Sequence, residues 1–206
     1  MKRITYLTLM LAGMLSMALP SKAQTNGLVS NDVVETIMAR RSIRKYTPQP
    51  VEDTKLYQIM KCGINAPNGM YKQSWQVRVV RNKELLAKID AGFAAEREKM
   101  GKPGKGKAFY GAPCLIFIAY DPNYDMSQVD CGLLGENIIL AAQSMGLGTC
   151  CLGQLTRFIT GEGAKALYDQ LGFPDTHKLL YAIALGYPAE HPDAKARDMG
   201  KVKFIN

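Results

Sequence analysis

Hydrophobic and polar positions alternate with two different periods along this chain, and the periods divide it into helices and strands. Apolar residues that recur every three or four positions predict five helices, at residues 31–42, 52–65, 83–100, 127–148 and 161–172. Alternating or continuous apolar runs predict four strands, at residues 75–80, 113–121, 149–153 and 178–188. Since helices and strands are interleaved, we expect one domain, α/β or α+β, with helices packed around a central sheet.

The first residues have a different pattern, in which a basic start precedes an apolar run and a small-residue end. Lys2 and Arg3 precede an apolar run at residues 4–19, and Ser21 and Ala23 have the spacing of a cleavage site. We therefore expect a secretory signal peptide over 1–23, cleaved after Ala23. The run is shorter than the ~20 residues of a membrane-spanning helix, although an uncleaved anchor remains the alternative.

Cleavage would leave a functional domain over 24–206 and would place it in the periplasm or outside the cell, without stable membrane insertion. The location would be cytoplasmic if the signal is not used. Losing Lys2, Arg3 and Lys22 would lower the formal net charge from +8 to +5. No alternation of aromatic and basic residues accompanies this excess of positive charge, so we expect no nucleic-acid partner. Binding a local anion, such as the phosphate of a cofactor, would need only two or three of these positive charges.

The mature part of the chain contains five cysteines, an odd number that cannot all pair within one chain. No C-x-x-C motif is present and only two histidines could assist, so the spacing predicts no metal site. Most of the cysteines lie within apolar runs, which is typical of buried thiols that pack as small hydrophobes. A redox pair formed by the adjacent Cys150 and Cys151 remains an alternative.

The stretch "GKPGKGKA" at residues 101–108 is close to a phosphate-binding P-loop. A true P-loop follows a strand, opens a helix and has Ser or Thr after its lysine. Here the preceding residues are predicted to be helical, and Ala108 follows the lysine. The sequence therefore predicts a solvent-exposed basic loop rather than the site of a nucleotide hydrolase.

A second basic stretch, "RRSIRKY", is a better candidate for binding a phosphate. Arg40 and Arg44 are four positions apart, so one more turn of the preceding helix would place them on the same side. The guanidinium fork matches phosphate oxygens. In the tail, Lys195 and Arg197 would share a side if that segment is extended.

Four motifs in the same order resemble the nitroreductase family, the FMN-dependent NAD(P)H oxidoreductases. They are "RRSIRKYTPQPV", "APNGMYKQSW", "GENIILAAQSMGLGTCCLG" and "ALGYPAEHPDAKAR". The matches extend from Ile37 to Arg197, which is nearly all of the mature chain. The resemblance implies an α+β fold, an α/β sandwich with a central mixed sheet flanked by helices, in an intertwined homodimer.

The resemblance also implies a role for each matched position. The residues expected to hold the FMN phosphate, ribityl chain and pyrimidine edge are Arg40, Arg41, Ser42 and Arg44. Those expected to reach the phosphate from the tail are Lys195 and Arg197. Those expected to approach the flavin from the second subunit are Pro67, Asn68, Gly69 and Tyr71, with Gln73 carried over from the same loop. Leu152 and Gly153 would place a backbone N–H near flavin N5.

The activity that the resemblance implies is a two-step hydride transfer, from NAD(P)H to FMN and then to a small oxidant such as a nitroaromatic or a quinone. The chemistry would take place at flavin N5, without a catalytic side chain, because the cofactor carries the reactive atoms. Arg44 would stabilise the negative charge that develops near flavin N1.

The chain departs from the family pattern in ways that leave its substrate open. Tyr71 replaces the usual Asn, Ser74 replaces the usual Pro, and no insertion that could form a substrate lid is found. A branch that fragments flavin or removes halogen is one alternative, although it would need such a lid. Another is an exported flavin-binding protein with a different electron donor or no turnover, because the cell envelope is expected to lack NAD(P)H.

Overall fold

The computed structural model describes residues 29–102 and 107–206. The predicted signal peptide, at residues 1–23, lies outside the described residues. So does the centre of the basic loop at 101–108. No helix of the described ranges is both long and apolar enough to cross a lipid bilayer.

The domain consists of helices and strands that alternate along the chain. The α-helices are α1 (Asp32–Ala39), α2 (Asp53–Ile64), α3 (Lys83–Lys99), α4 (Ser127–Ser144), α5 (Gly153–Ile159) and α6 (Lys165–Asp169). The strands are β1 (Trp75–Val80), β2 (Cys114–Tyr120), β3 (Gly148–Cys151) and β4 (Lys178–Gly186). Short 3₁₀ turns occur at Gly69–Tyr71, Glu162–Ala164 and Met199–Lys201.

The four strands form one sheet in the order β1-β2-β4-β3, and each neighbouring pair is antiparallel. The expected mixed sheet is therefore antiparallel among its named strands. A single parallel bridge joins Ser42 to Thr149 outside them, at the β3 edge. The expected α+β class, with helices on both faces of a sheet, is confirmed.

Alternate residues of the central strands supply two separate cores, because successive side chains of a strand point to opposite faces. One core packs α3 and α5 on the sheet, and its strand residues include Leu115, Phe117, Ala182 and Ala184. The other packs α2 and α4 on the opposite face, and its strand residues include Ile116, Ile118, Ile183 and Leu185. Both faces are buried, which explains why β2 and β4 are continuous apolar runs in the sequence.

Two helix predictions were wrong in ways that matter for the site. The first helix ends at Ala39 rather than at Ser42, because the Ile43 N–H donates to the Thr149 carbonyl and takes the following residues to the sheet. The helix α5 was not predicted. It has only seven residues, and two of them, Leu155 and Ile159, are buried, which is too short a repeat to recognise from sequence.

Candidate functional site

The segment at residues 42–47 is extended and is held between two other parts of the chain. Ser42 bridges Thr149 of β3, and Tyr46 bridges Pro188, just after β4. The Thr47 N–H donates to the Tyr187 carbonyl at 2.9 Å, and the Ala189 N–H donates to the Lys45 carbonyl at 2.9 Å. These backbone hydrogen bonds hold residues 42–47 against residues 187–189, which connect β4 to the C-terminal tail.

The packing of this segment depends on a glycine in β3. A Cβ atom on Gly148 would lie 2.6 Å from Ile43 Cγ1, which is much closer than van der Waals contact. Ile43 is itself buried. The glycine therefore allows the close approach of Ile43, the residue between Ser42 and Arg44, to β3.

The two basic segments line one cleft, with a volume of about 100 Å³. Its lining residues are Arg40, Arg41, Ser42, Arg44, Pro192, Asp193, Lys195 and Arg197. Five of these eight carry a positive charge and one, Asp193, carries a negative charge. The structure thus brings together the four residues expected to hold the FMN phosphate, ribityl chain and pyrimidine edge and the two expected to reach the phosphate from the tail.

Three of the guanidinium groups also make local hydrogen bonds, and one of them is Arg44, which donates from Nη1 to the Ser42 carbonyl at 3.3 Å. Arg41 donates from Nη1 to the Met38 carbonyl at 2.7 Å, close to the C-terminal end of α1. Arg197 donates from Nη1 to the Lys195 carbonyl at 3.1 Å. Each group keeps further N–H donors beyond Nη1, since a guanidinium has five. An anion in the cleft would therefore meet groups that local bonds already orient.

Arg44 lies at the end of the cleft next to β3. Attraction to Cys150 is the largest effect that raises the pKa of its guanidinium, Tyr110 and Glu190 act in the same direction, and partial burial opposes them. Burial raises the pKa of the Cys150 thiol, although Arg44 lowers it in part. The thiol is therefore neutral near pH 7, and its attraction for Arg44 acts only at alkaline pH, where the thiol ionises.

The loop that was expected to contact the flavin from a second subunit lies elsewhere on the molecule. Asn68 accepts the Gln73 N–H through Oδ1 at 3.0 Å, which closes the loop on itself. Tyr71 at its tip is 81% exposed. The Gly69 N–H donates to the Asp130 carboxylate, and Pro67 is exposed next to Asn68. The five predicted loop residues therefore form a compact group beside the start of α4.

The loop and the cleft lie at opposite corners of the sheet. The loop leads into Trp75, which pairs with Tyr120 at one end of the outer strand β1. The cleft lies beside Gly148 of the other outer strand, which pairs with Gly186 at the opposite end. The intervening strand β2 has seven residues and is about 20 Å long at ~3.3 Å per residue. Within one chain the two groups of predicted residues do not meet.

Leu152 and Gly153, the two residues predicted to offer a backbone N–H to the flavin, differ in their hydrogen bonds. The Leu152 N–H already donates to the Ala182 carbonyl at 2.8 Å, and its side chain is buried. Gly153 is exposed and is the first residue of α5, where the N–H groups have no partner within the helix. The Leu152 N–H, which was expected to face the flavin, thus donates to β4 of the sheet.

The alternative of a redox pair at Cys150 and Cys151 does not match the structure. Cys150 belongs to the core under α3 and α5, and successive side chains of a strand point to opposite faces. Cys151 is exposed, and all five cysteines are free thiols. The two sulfur atoms therefore lie on opposite sides of β3.

Comparison with known proteins agrees with this arrangement. A model of the family described as "Nitroreductase family" matches residues 37–187, well over half of the chain. The chain belongs to the nitroreductase family. The match ends before Lys195 and Arg197, so the structure itself joins these two tail residues to the part that the family model recognises.

Individual nitroreductases and flavin reductases resemble the chain over most of its length. The NADPH-flavin oxidoreductase of Vibrio harveyi is 29% identical over 178 residues, which cover 81% of this chain and 70% of that protein. A nitroreductase of Desulfitobacterium hafniense, solved with bound FMN, has a TM-score of 0.77 and 31% identity, covering 86% and 100% of the two chains. A nitroreductase of Bacteroides fragilis, also solved with FMN, has a TM-score of 0.75 and 30% identity, covering 86% and 100%.

Four residues at or next to this nitroreductase cleft were not predicted from the sequence, and one of them, Pro192, lines it. Glu190 accepts the backbone N–H of Arg44, and Asp193 lines the cleft. Tyr110 interacts with Arg44 and has a positive φ of 60°, followed by 75° at Gly111. Gly111 and Pro113 favour a loop at this point of the chain, but the position of Tyr110 next to Arg44 depends on the tertiary fold.

Proposed function

We propose that this nitroreductase-family chain is an FMN-dependent NAD(P)H oxidoreductase, whose cofactor phosphate binds in the cleft between Arg40 and Arg197. The observation that carries the proposal is the meeting of two basic segments, more than 150 residues apart in the chain, in one small cleft. The FMN-bound nitroreductases and the NADPH-flavin oxidoreductase that resemble the chain support it.

The residues of the cleft fit a phosphate group. Guanidinium and ammonium groups supply charged donors, and the Ser42 hydroxyl supplies a neutral one. Charge-assisted hydrogen bonds of this kind are roughly twice as strong as neutral ones. Asp193 reduces the net charge of the cleft, but its carboxylate is outnumbered by the five cations.

FMN, when bound, supplies the group that accepts a hydride and passes it on. The chain would bind and orient the cofactor. Arg44, at the end of the cleft next to β3, would serve the flavin ring rather than the phosphate. It would place a fixed positive charge where negative charge develops during reduction, and such preorganised charge favours that state. Gly153, which is exposed, would offer its N–H from the first turn of α5. No protein nucleophile is required for this chemistry.

We propose that the active form is a homodimer in which each cofactor contacts both subunits. The loop at residues 67–73 is too far from the cleft to serve the same cofactor within one chain, as the sheet register indicates. Apolar side chains on several helices are exposed in the single chain. Ile37 and Met38 of α1, and Val129 and Leu133 of α4, are at least 41% exposed. A second copy would remove such surfaces from water.

The proposed electron acceptor is a small oxidant, such as a nitroaromatic compound or a quinone, and the proposed donor is NADH or NADPH. The nitroreductases and flavin reductases among the relatives support this class of reaction. The acceptor would bind over the cofactor after the nicotinamide has left, so both half-reactions would use one pocket.

The absorption spectrum of the purified protein, followed by anaerobic addition of NADPH or NADH, tests the proposal. We expect the visible bands of a bound flavin, bleaching by one of the two nicotinamides, and recovery when a nitroaromatic or a quinone is added. A colourless protein that does not take up added FMN would contradict it. Bound flavin that neither nicotinamide reduces would favour the exported flavin-binding protein with another donor or no turnover.

Export remains a separate proposal that rests on residues 1–23 alone. The mass of the protein recovered from the cell envelope of its host tests it. A mass that begins at Gln24 is expected, and a mass that retains Met1 would contradict cleavage. Neither outcome changes the proposed site, whose residues all lie between Arg40 and Arg197.

A further inference from the structure

The loop at residues 68–73, here called the clamp loop, has an unusual backbone. Met70, Tyr71 and Gln73 have φ values of 51°, 55° and 46°. Residues other than glycine rarely adopt this left-handed region, because the Cβ atom meets the backbone there. Three such residues within four positions mean that the surrounding structure determines the conformation against local preference.

The carboxylate of Asp130 holds the beginning of the clamp loop. The Gly69 N–H lies 3.1 Å from Asp130 Oδ1 and 3.3 Å from Oδ2, so both oxygens share one donor. Asp130 lies in the first turn of α4, and only 2% of its surface is exposed. The loop is therefore attached to the rigid central helix at a buried point.

Two further contacts hold the clamp loop, one at Gly69 and one at Ser74, just after the loop. A Cβ atom on Gly69 would lie 1.9 Å from Tyr124 Oη, so the tyrosine closes directly over this glycine. After the loop, the Ser74 hydroxyl donates to Ser127 Oγ at 2.9 Å, in a buried position. A side chain at position 69 would require Tyr124 to move, and hydrogen bonds hold the loop at both of its ends.

Asp130 has no ion pair with a lysine or arginine among the described residues. A carboxylate that is buried without a cation is costly, and such groups persist where their hydrogen bonds have a specific use. Its hydrogen bond with Gly69 supports the loop that carries Asn68 and Tyr71. The position of Asp130 points to a role in that loop rather than in the sheet core.

We infer that Asp130 is a positioning residue for the shared flavin site. It keeps the strained clamp loop of one subunit in the shape that reaches the flavin bound by its partner. This inference rests on the proposed function, since the loop is assigned to a flavin only there. The strain at Met70 and Tyr71 is the reason that an anchor is needed, because a loop without it would relax.

The test compares Asp130→Asn with Asp125→Asn, which removes the same charge from an exposed carboxylate near the same tyrosine. Two quantities are measured on the full protein: hydrogen exchange of residues 66–74 without flavin, and the Kd of FMN. We expect Asp130→Asn to speed exchange in this segment and to weaken FMN binding by about tenfold. We expect Asp125→Asn to match the parent in both.

Rescue distinguishes positioning from a general effect on folding. Met70→Gly relieves strain at one left-handed residue, so in the Asp130→Asn background it should restore part of the protection and of the affinity. If Asp130→Asn does not fold, Gly69→Ala displaces the loop from the side of Tyr124 and should give the same two changes. Parental exchange and FMN affinity in Asp130→Asn, or an unrescued loss, would overturn the inference.

If the proposed function is wrong, the same two measurements give a different result. A parent protein that binds no FMN would refute the flavin site. If Asp130→Asn then still showed fast exchange in residues 66–74, Asp130 would stabilise the shape of the loop, and the inference that it positions the loop for a flavin would be wrong.

Discussion

The guanidinium of Arg40 should contribute measurably to cofactor binding, because it lines the cleft and is only partly exposed. Losing one charge-assisted hydrogen bond, worth about 1.5–3 kcal/mol, should weaken FMN binding in Arg40→Ala by about tenfold or more. Lys88→Ala is a matched control, since it removes an exposed positive charge from α3. Equal FMN affinity of Arg40→Ala and the control, from fluorescence titration, would contradict the phosphate assignment.

The buried thiol of Cys114 predicts a loss of stability at alkaline pH. Burial raises its pKa from 9.0 to about 12, so folding favours the protonated form. This contribution is complete below about pH 9 and decreases as the pH rises toward 12, by at most about 1.4 kcal/mol for each pH unit. In Cys114→Ala this part of the pH dependence should be absent.

Urea unfolding at neutral and alkaline pH measures this effect. The difference in unfolding free energy between the parent and Cys114→Ala at pH 7 reports the lost packing, and its decrease above about pH 9 reports the titration. A difference that stays constant with pH would mean that the thiol does not titrate abnormally.

At the level of elements, the close contact between the segment at 42–47 and β3 should couple stability to cofactor binding. In Gly148→Ala the new Cβ would meet Ile43, and such overpacking typically costs about 1–3 kcal/mol. Because relief requires Ile43 to move, Ser42 and Arg44 should move with it and FMN binding should weaken. Gly163→Ala is the control, since its Cβ would have only ordinary contacts. A destabilised Gly148→Ala that binds FMN normally would show that the cleft does not depend on this contact.

Element types and the main strands were predictable from sequence, whereas the relations between distant segments were not. The continuous apolar runs of β2 and β4 are short and partly β-branched, which favours a strand buried on both faces over a buried helix. The end of α1 depends on a bond from Ile43 to Thr149, more than 100 residues away, and local pattern does not contain it. The basic residues of the cleft were predicted from their motifs, but the contacts of Asp130 and Glu190 depend on the tertiary fold.

At the scale of the whole molecule, the central claim is that one flavin site is built from two copies of the chain. The cleft and the clamp loop lie at opposite corners of one sheet. A dimer could bring the cleft of one copy to the loop of the other, whereas a single chain could not. This can be tested by damaging the cleft in one subunit and the clamp loop in the other.

The most direct measurement is the FMN content of a mixed dimer, purified with two different affinity tags. One subunit carries Arg40→Glu and Arg197→Glu in the cleft, and the other carries Asn68→Glu and Tyr71→Glu in the loop. Each variant alone should bind no FMN. If sites are shared, the mixed dimer contains one intact site and should bind one FMN per dimer. If each site lies within one chain, every site is damaged and no FMN should bind, which would contradict the account.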